Sequence, residues 1–99
     1  MIRQERWDAV RERYIGSAID FDPTPERYAT VVEDESGLRA AETFDSRREA
    51  LDYAGVGVLD GWTPVAVFDL DTGESFGLHV SVKVTISKDA SAPESPWAS

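Results

Sequence analysis

The stretch that decides the fold is VAVFDLDTGESF, residues 65–76. Residues 71–73 (DTG) have the composition of a three-residue hairpin loop whose glycine takes the left-handed conformation. In that register Phe68 faces Phe76, and Asp69 points away from the apolar face of the hairpin. The stretch therefore predicts an antiparallel hairpin, with its aspartates in the turn or on the outer face.

The spacing of Asp69 and Asp71 resembles the opening motif of phosphatases that form an aspartyl-phosphate. That fold needs parallel crossovers of a dozen or more residues each, and only 28 residues follow Asp71. A calcium-binding EF-hand is also excluded, because it needs glycine at position 6 and glutamate at position 12. Counting from Asp69, those positions hold Glu74 and Val80. We therefore predict no catalytic residue and no metal site here.

The remaining elements follow from periodicity on either side of this hairpin. The strict alternation of SFGLHVSVKVTI (75–86) predicts one long strand. Ser46, with Glu49 three residues later, predicts a helix that begins with a capping box. The other predicted elements are a helix at 2–16 that ends at Gly16, strands at 28–33 and 38–44, and a strand at 62–70. The predicted fold is α+β: a four-stranded antiparallel sheet, in the order α-β-β-α-β-β, with both helices packed on one face.

The length and composition predict one domain. The chain has 99 residues, and we expect the domain to span 1–87 and a disordered tail, rich in small and polar residues, to span 88–99. Cysteine is absent, which excludes disulfides and thiolate metal sites. No apolar run is long enough for a signal peptide core or a membrane span, so we expect a cytoplasmic protein. No motif indicates a cofactor.

The charge of the chain restricts its partners. Nineteen acidic and ten basic residues give a formal net charge of -9. Such a field repels phosphates and anionic lipids, so we predict neither direct nucleic acid binding nor membrane binding. It attracts a basic protein, although acidic surfaces also serve solubility alone.

An interface is predicted on the outer face of the last hairpin. In the predicted register Val65 and Val67 share this face with His79 and Ser81, which makes it half apolar, and exposed faces of that kind often mark interfaces. His79 is the one histidine of the chain, and we predict a structural role for it. Trp97, in the predicted tail, is a candidate aromatic anchor for a partner.

The long final strand favours a homodimer. Residues 82–86 extend beyond their predicted partner strand, so they must pair with the first hairpin or with a second copy of the chain. Together with the charge, this predicts a small, acidic, non-catalytic binding or regulatory module that engages a protein partner or itself.

Two alternatives remain open. Alternation from Leu38 to Phe44 turns Glu42 inward, and a buried carboxylate with a raised pKa would suit a small enzyme or a small-molecule site between the sheet and the helices. An arginine partner or a strand bulge would remove that role. The other alternative is a mimic of nucleic acid that presents turn carboxylates to a basic protein; these are Glu33, Asp34, Glu35, Asp69, Asp71 and Glu74.

Overall fold

The computed structural model describes residues 2–16, 25–80, 83–86 and 96–97. The disorder expected for 88–99 therefore lies outside the described residues, except at positions 96 and 97. The elements in chain order are α1 (Ile2–Val10), a π-helical turn (Arg11–Ile15), β1 (Tyr28–Glu33), β2 (Arg39–Phe44), α2 (Arg47–Leu59), β3 (Thr63–Asp69), β4 (Ser75–Phe76), β5 (Leu78–Val80) and β6 (Val84–Ile86). The α+β class and the four-stranded antiparallel sheet are confirmed; the order of strands in that sheet is β2-β1-β3-β4, and β5 and β6 form a separate two-stranded sheet.

The two helices begin and end where the sequence predicts. Gly16 closes the first helical segment with φ at 84°, and its N–H donates to the Arg11 carbonyl at 2.9 Å. Ser46 is the N-cap of α2, and its hydroxyl accepts a hydrogen bond from the backbone N–H of Glu49. Both ends follow from local chemistry, since a left-handed residue ends a helix and a serine oxygen satisfies a free N–H at its start.

The central strand β1 is apolar on both faces. Tyr28 to Val32 are all buried, and β1 pairs with β2 on one side and β3 on the other. Neighbouring residues of a strand point to opposite faces. A strand that is buried on both faces requires a cover on both sides of the sheet.

The helices supply these covers from opposite sides, so the prediction of both helices on one face is wrong. From α1, Trp7 and Val10 pack in a cluster with the odd-numbered side of β1 and the even-numbered side of β3; its other members are Ala29, Val31, Ala66, Phe68 and Leu70. From α2, Ala50 packs against Tyr28 and Val67 on the other face. The Thr30 hydroxyl donates to the Ala50 carbonyl at 3.1 Å on that second face. The fold therefore has three layers, with the sheet in the middle.

The final strand differs from its prediction. The segment 75–86 forms three short strands, and β5 turns back to pair with β6, with Leu78 opposite Ile86. Residues 84–86 thus find their partner within the chain, and the pairing argument for a homodimer no longer holds. Alternation gave no signal for this reversal, because both arms of a hairpin can keep the same period of two.

The hairpin register is shifted by one residue from the prediction. Val67 lies opposite Phe76 and Phe68 lies opposite Ser75, and the loop holds four residues, 70–73, instead of three. Gly73 is in the left-handed conformation as predicted, with φ at 83°. Asp69, which the prediction had placed on the outer face, is buried.

Candidate functional site

The buried carboxylate of Asp69 organises the turn at residues 69–73. Arg27 donates to both of its oxygens, from Nη2 to Oδ2 at 2.8 Å and from Nε to Oδ1 at 3.1 Å. The backbone N–H groups of Asp71 and Thr72 donate to Oδ1 at 3.0 and 3.2 Å. Burial opposes ionisation of Asp69, but these hydrogen bonds outweigh it and lower the pKa of the carboxyl below its usual value. Asp69 is therefore an ionised structural carboxylate.

Asp71 is held from α1. Arg3 donates to its two carboxylate oxygens at 2.6 and 2.7 Å, and this interaction lowers the pKa of Asp71. Arg6 donates to the backbone carbonyls of Leu70 and Asp71 at 3.0 and 2.9 Å. The carboxylates of Asp69 and Asp71 thus each have an arginine donor, which accounts for both aspartates as parts of a turn that ties α1 to the sheet.

The residues predicted to share an outer face are separated in the structure. Val31 pairs with Ala66 and Val32 pairs with Pro64, which leaves Val65 as the extra residue of a β-bulge. Val65 packs against the α1 side of the sheet. Val67 is fully buried on the α2 side, as described above. The half-apolar outer face does not form, because each face of β3 is covered by a helix.

The other predicted interface residues lie elsewhere. His79 is exposed on β5 and pairs with Thr85 of β6 instead of with a residue of β3, and Ser81 lies outside the described residues. Trp97 is half-buried and packs edge-on against Phe68, with ring centroids 5.4 Å apart. The Arg6 guanidinium lies 5.6 Å from the centroid of the Trp97 ring. The Trp97 side chain therefore covers the edge of the α1-side core instead of extending toward a partner.

Glu42 is exposed, which corrects the expectation of a buried carboxylate. It does lie on the face that α2 packs against, opposite Thr30 in the β1–β2 ladder. β2 is an edge strand of the sheet, however, and α2 does not cover this position. Burial, with a smaller contribution from the charge of Glu42, raises the pKa of Tyr53. No buried acid–base group supports the enzyme alternative at this position.

The carboxylates suggested as a phosphate mimic do not form one free patch. Asp69 and Asp71 are paired with arginines, as described, and Glu33 accepts a hydrogen bond from Arg39 at 3.0 Å. Three of the six candidate charges are thereby neutralised, so the turn carboxylates give the mimic no support.

An apolar groove that the sequence did not predict runs between α2 and the β5–β6 hairpin. Its volume is ≈ 390 Å³. Leu59 is 87% exposed, Val56 59% and Val80 46%, and they lie along it with Leu51 and Val58. We call it the α2 groove; its lining residues are Leu51, Asp52, Gly55, Val56, Val58, Leu59, Val80, Lys83 and Val84. One sequence feature could have predicted this groove. At 3.6 residues per turn, Val56 and Leu59 lie outside the buried stripe of Ala50 and Ala54, so they are apolar residues on an exposed part of α2.

Gly55 lies in the wall of the α2 groove, and packing within the chain does not require a glycine there. A Cβ at this position would meet no atom within 4 Å, whereas one at Gly57 would lie 3.3 Å from the Cβ of Trp62. A glycine inside a helix costs about 1 kcal/mol relative to alanine. Gly57 allows the close packing of Trp62, while Gly55 opens the surface of the groove.

Three carboxylates surround the C-terminal end of α2, and we call them the acidic end: Asp34, Glu35 and Asp60. The helix ends in a Schellman motif, in which Trp62 N–H donates to the Gly57 carbonyl and Gly61 N–H to that of Val58. The last turn of α2 contains no basic residue, although helix C-termini favour cations. Within the described part of the chain, no cation forms an ion pair with these three carboxylates.

Searches for metal sites, membrane-spanning helices and related proteins do little to narrow the possible functions. Among the described residues, no group of three or more histidine, aspartate or glutamate side chains could hold a metal ion. No helix in this part of the chain has the length and apolar character needed to cross a membrane. Comparison of the chain with protein-family models, curated proteins and solved structures gives no match.

Proposed function

We propose that this chain is a small, acidic, non-catalytic module that binds a protein partner in the cytoplasm, and that the α2 groove is its binding surface. The observation that carries the proposal is the exposure of Val56, Leu59 and Val80 along one groove. Single exposed apolar residues are ordinary, but several that line one depression are typical of an interaction site.

The packing of the groove walls supports the same proposal. One wall is α2, which packs on the sheet through buried Ala50 and Ala54. The other wall includes Val84, which is only 5% exposed. Because buried residues anchor both walls, a partner would contact side chains of folded elements, which lowers the cost of ordering this chain on binding.

The experiment compares two aspartate substitutions at exposed leucines. Leu59→Asp places a charge in the groove, and Leu38→Asp places the same charge at a leucine of the β1–β2 turn that is 63% exposed. Both side chains are open to solvent, so we expect Leu38→Asp to change stability by less than about 0.5 kcal/mol. Leu59→Asp puts a negative charge at the C-terminal end of α2 and should cost less than about 1 kcal/mol. The wild-type chain and both variants are immobilised, and proteins retained from a lysate of the source cells are identified and quantified by mass spectrometry.

We expect one identified protein to be retained by the wild type and by Leu38→Asp, and at least about tenfold less by Leu59→Asp, which corresponds to about 1.4 kcal/mol. The complex is then rebuilt from the two purified proteins with the same three baits. Equal retention by Leu59→Asp and Leu38→Asp would refute the groove as the binding surface.

A further inference from the structure

Resting on the proposed function, we infer the chemistry of the occupant: the α2 groove takes an amphipathic α-helix of a partner protein, with basic residues at the end of that helix which meets the acidic end. The groove runs along α2 from Leu51 to Leu59. Eight residue steps at 1.5 Å make this about 12 Å. An α-helix with apolar residues at positions i, i+3 and i+7 presents a stripe about 10 Å long, which fits that length.

The composition of the groove favours a helix over an extended strand. Its walls present apolar side chains, chiefly Val56, Leu59 and Val80. A helix satisfies its own backbone hydrogen bonds, so it requires only such side-chain contacts from its binding site. The bare backbone at Gly55, where a Cβ would meet no atom within 4 Å, allows the axis of the incoming helix to come close to α2.

Charge determines where the basic residues of the partner helix lie: at whichever of its ends meets the acidic end. Inside the groove, Asp52 and Lys83 have opposite signs, and Asp52 also lies 4.0 Å from Arg48. The excess negative charge begins past Leu59, at Asp60, and continues across the gap to the other two carboxylates of the acidic end. The helix C-terminus adds a further negative partial charge there. Lysines or arginines of a bound helix would form ion pairs with the carboxylates of the acidic end.

The same charges disfavour a second copy of this chain as the occupant. Each copy has a formal charge of -9. Two acidic ends brought near one another would repel, since exposed like charges destabilise an interface when no cation lies between them.

Synthetic helical peptides of 16 residues test the inference on the full chain. All have leucines at i, i+3 and i+7. One has three lysines in its last turn, one has them in its first turn, and the matched controls have glutamates in place of lysines. Fluorescence anisotropy measures their Kd at about 10 mM and about 150 mM ionic strength, where the Debye length is about 30 and 8 Å.

We expect one lysine peptide to bind at least about tenfold more tightly than its glutamate control at low salt, with the ratio falling at high salt. Leu59→Gln should weaken this binding at least about tenfold, and its matched control Leu38→Gln, which adds no charge beside Asp34, should leave it unchanged. Changing Asp60→Asn together with Glu35→Gln should reduce the lysine preference to less than about threefold. Gly55→Ala should weaken binding by at least about threefold, because its methyl group occupies the line of closest approach.

Three results would overturn the inference: equal affinity for lysine and glutamate peptides, no binding by any peptide up to about 1 mM, or sedimentation that shows a dimer which Leu59→Asp dissociates. These results are distinct from failure of the proposed function. If no peptide binds while Leu59→Asp still selectively loses a protein partner, the groove remains a binding surface and only the helical, basic occupant is refuted.

Discussion

Replacing Asp69 by asparagine should destabilise the fold in a way that depends on pH. The side chain is 1% exposed, and asparagine has nearly its size and shape. The remaining oxygen of asparagine can still accept from the N–H groups of Asp71 and Thr72. What is lost is the negative charge that accepts hydrogen bonds from Nε and Nη2 of Arg27.

The expected magnitude follows from these contacts. A hydrogen bond to a charged group contributes about 1.5–3 kcal/mol, and a removed partner of a fully buried ion pair costs about 3–5 kcal/mol. Arg27 is 41% exposed and can be hydrated again, so the low end applies. We expect Asp69→Asn to cost about 2 kcal/mol, and Asp69→Ala, which also removes the acceptor for the two N–H groups, about 3–4 kcal/mol.

The pH dependence has a definite sign. The pKa of Asp69 is lower in the folded protein than its usual value, so the unfolded chain takes up a proton first as the solution is acidified. The stabilisation is therefore complete above the unfolded pKa of about 4 and is lost as the pH falls through the folded pKa. Asp71, whose pKa is lowered chiefly by the hydrogen bonds from Arg3, contributes with the same sign.

Urea unfolding followed by tryptophan fluorescence at pH 7, 5, 4 and 3 measures these effects. We expect the difference between the wild type and Asp69→Asn to be full at pH 7 and to shrink below pH 4. Glu42→Gln, at an exposed carboxylate, is the control and should differ from the wild type by less than about 0.5 kcal/mol. A difference between wild type and Asp69→Asn that is absent at pH 7, or that stays constant down to pH 3, would refute the assigned role of the carboxylate.

Four further substitutions test the local structure by the same urea assay. Gly55→Ala should stabilise the free protein by about 1 kcal/mol, whereas Gly57→Ala should give no gain because its methyl group would crowd Trp62; equal effects would contradict the difference in space at the two glycines. Ser46→Ala should cost about 1 kcal/mol through loss of the α2 N-cap, and a neutral result would show that the cap is not needed. Trp97→Ala should cost about 2 kcal/mol because it uncovers the edge of the core, and unchanged stability would show that the ring does not pack there in solution.

The parts of the fold that the sequence predicted are those with a local cause. Gly16 and Ser46 mark helix ends through the conformation or hydrogen bonding of single residues, and Gly73 marks a left-handed turn position in the same way. The placement of α1 is different in kind. Because α2 covers the face of β1 that holds Tyr28 and Thr30, α1 packs on the opposite face, against Ala29 and Val31. The sequence indicates this only weakly, through apolar residues at consecutive positions of β1.

The register of the β3–β4 turn shows the same limit. The prediction kept Asp69 away from the apolar face, because an unpaired buried charge is costly. That cost is removed by Arg27, which is 42 residues away in the sequence. No sequence pattern near Asp69 predicts its ion pair with Arg27. The predicted interface of Val65 and Val67 was wrong because a helix covers each face of β3 and because Val65 is the extra residue of a bulge.

The α2 groove could have been found only in part from the sequence. Val56 and Leu59 stand apart from the buried positions of α2, and this is readable from helical spacing. The other wall depends on the reversal of the chain between β5 and β6, which alternation does not reveal. The acidic end likewise joins Asp60 to Asp34 and Glu35, residues from two separate turns.

Site-specific photo-crosslinking in the source cells tests most directly whether the α2 groove is a binding surface. A photoreactive phenylalanine analogue is placed at position 59 or 80 in the groove, and at position 2 or 15 of the first helical segment as exposed apolar controls outside it. We predict that positions 59 and 80 crosslink to the same identified protein, and that positions 2 and 15 do not. Crosslinks to that protein from the control positions at equal yield, or none from positions 59 and 80, would contradict the proposal.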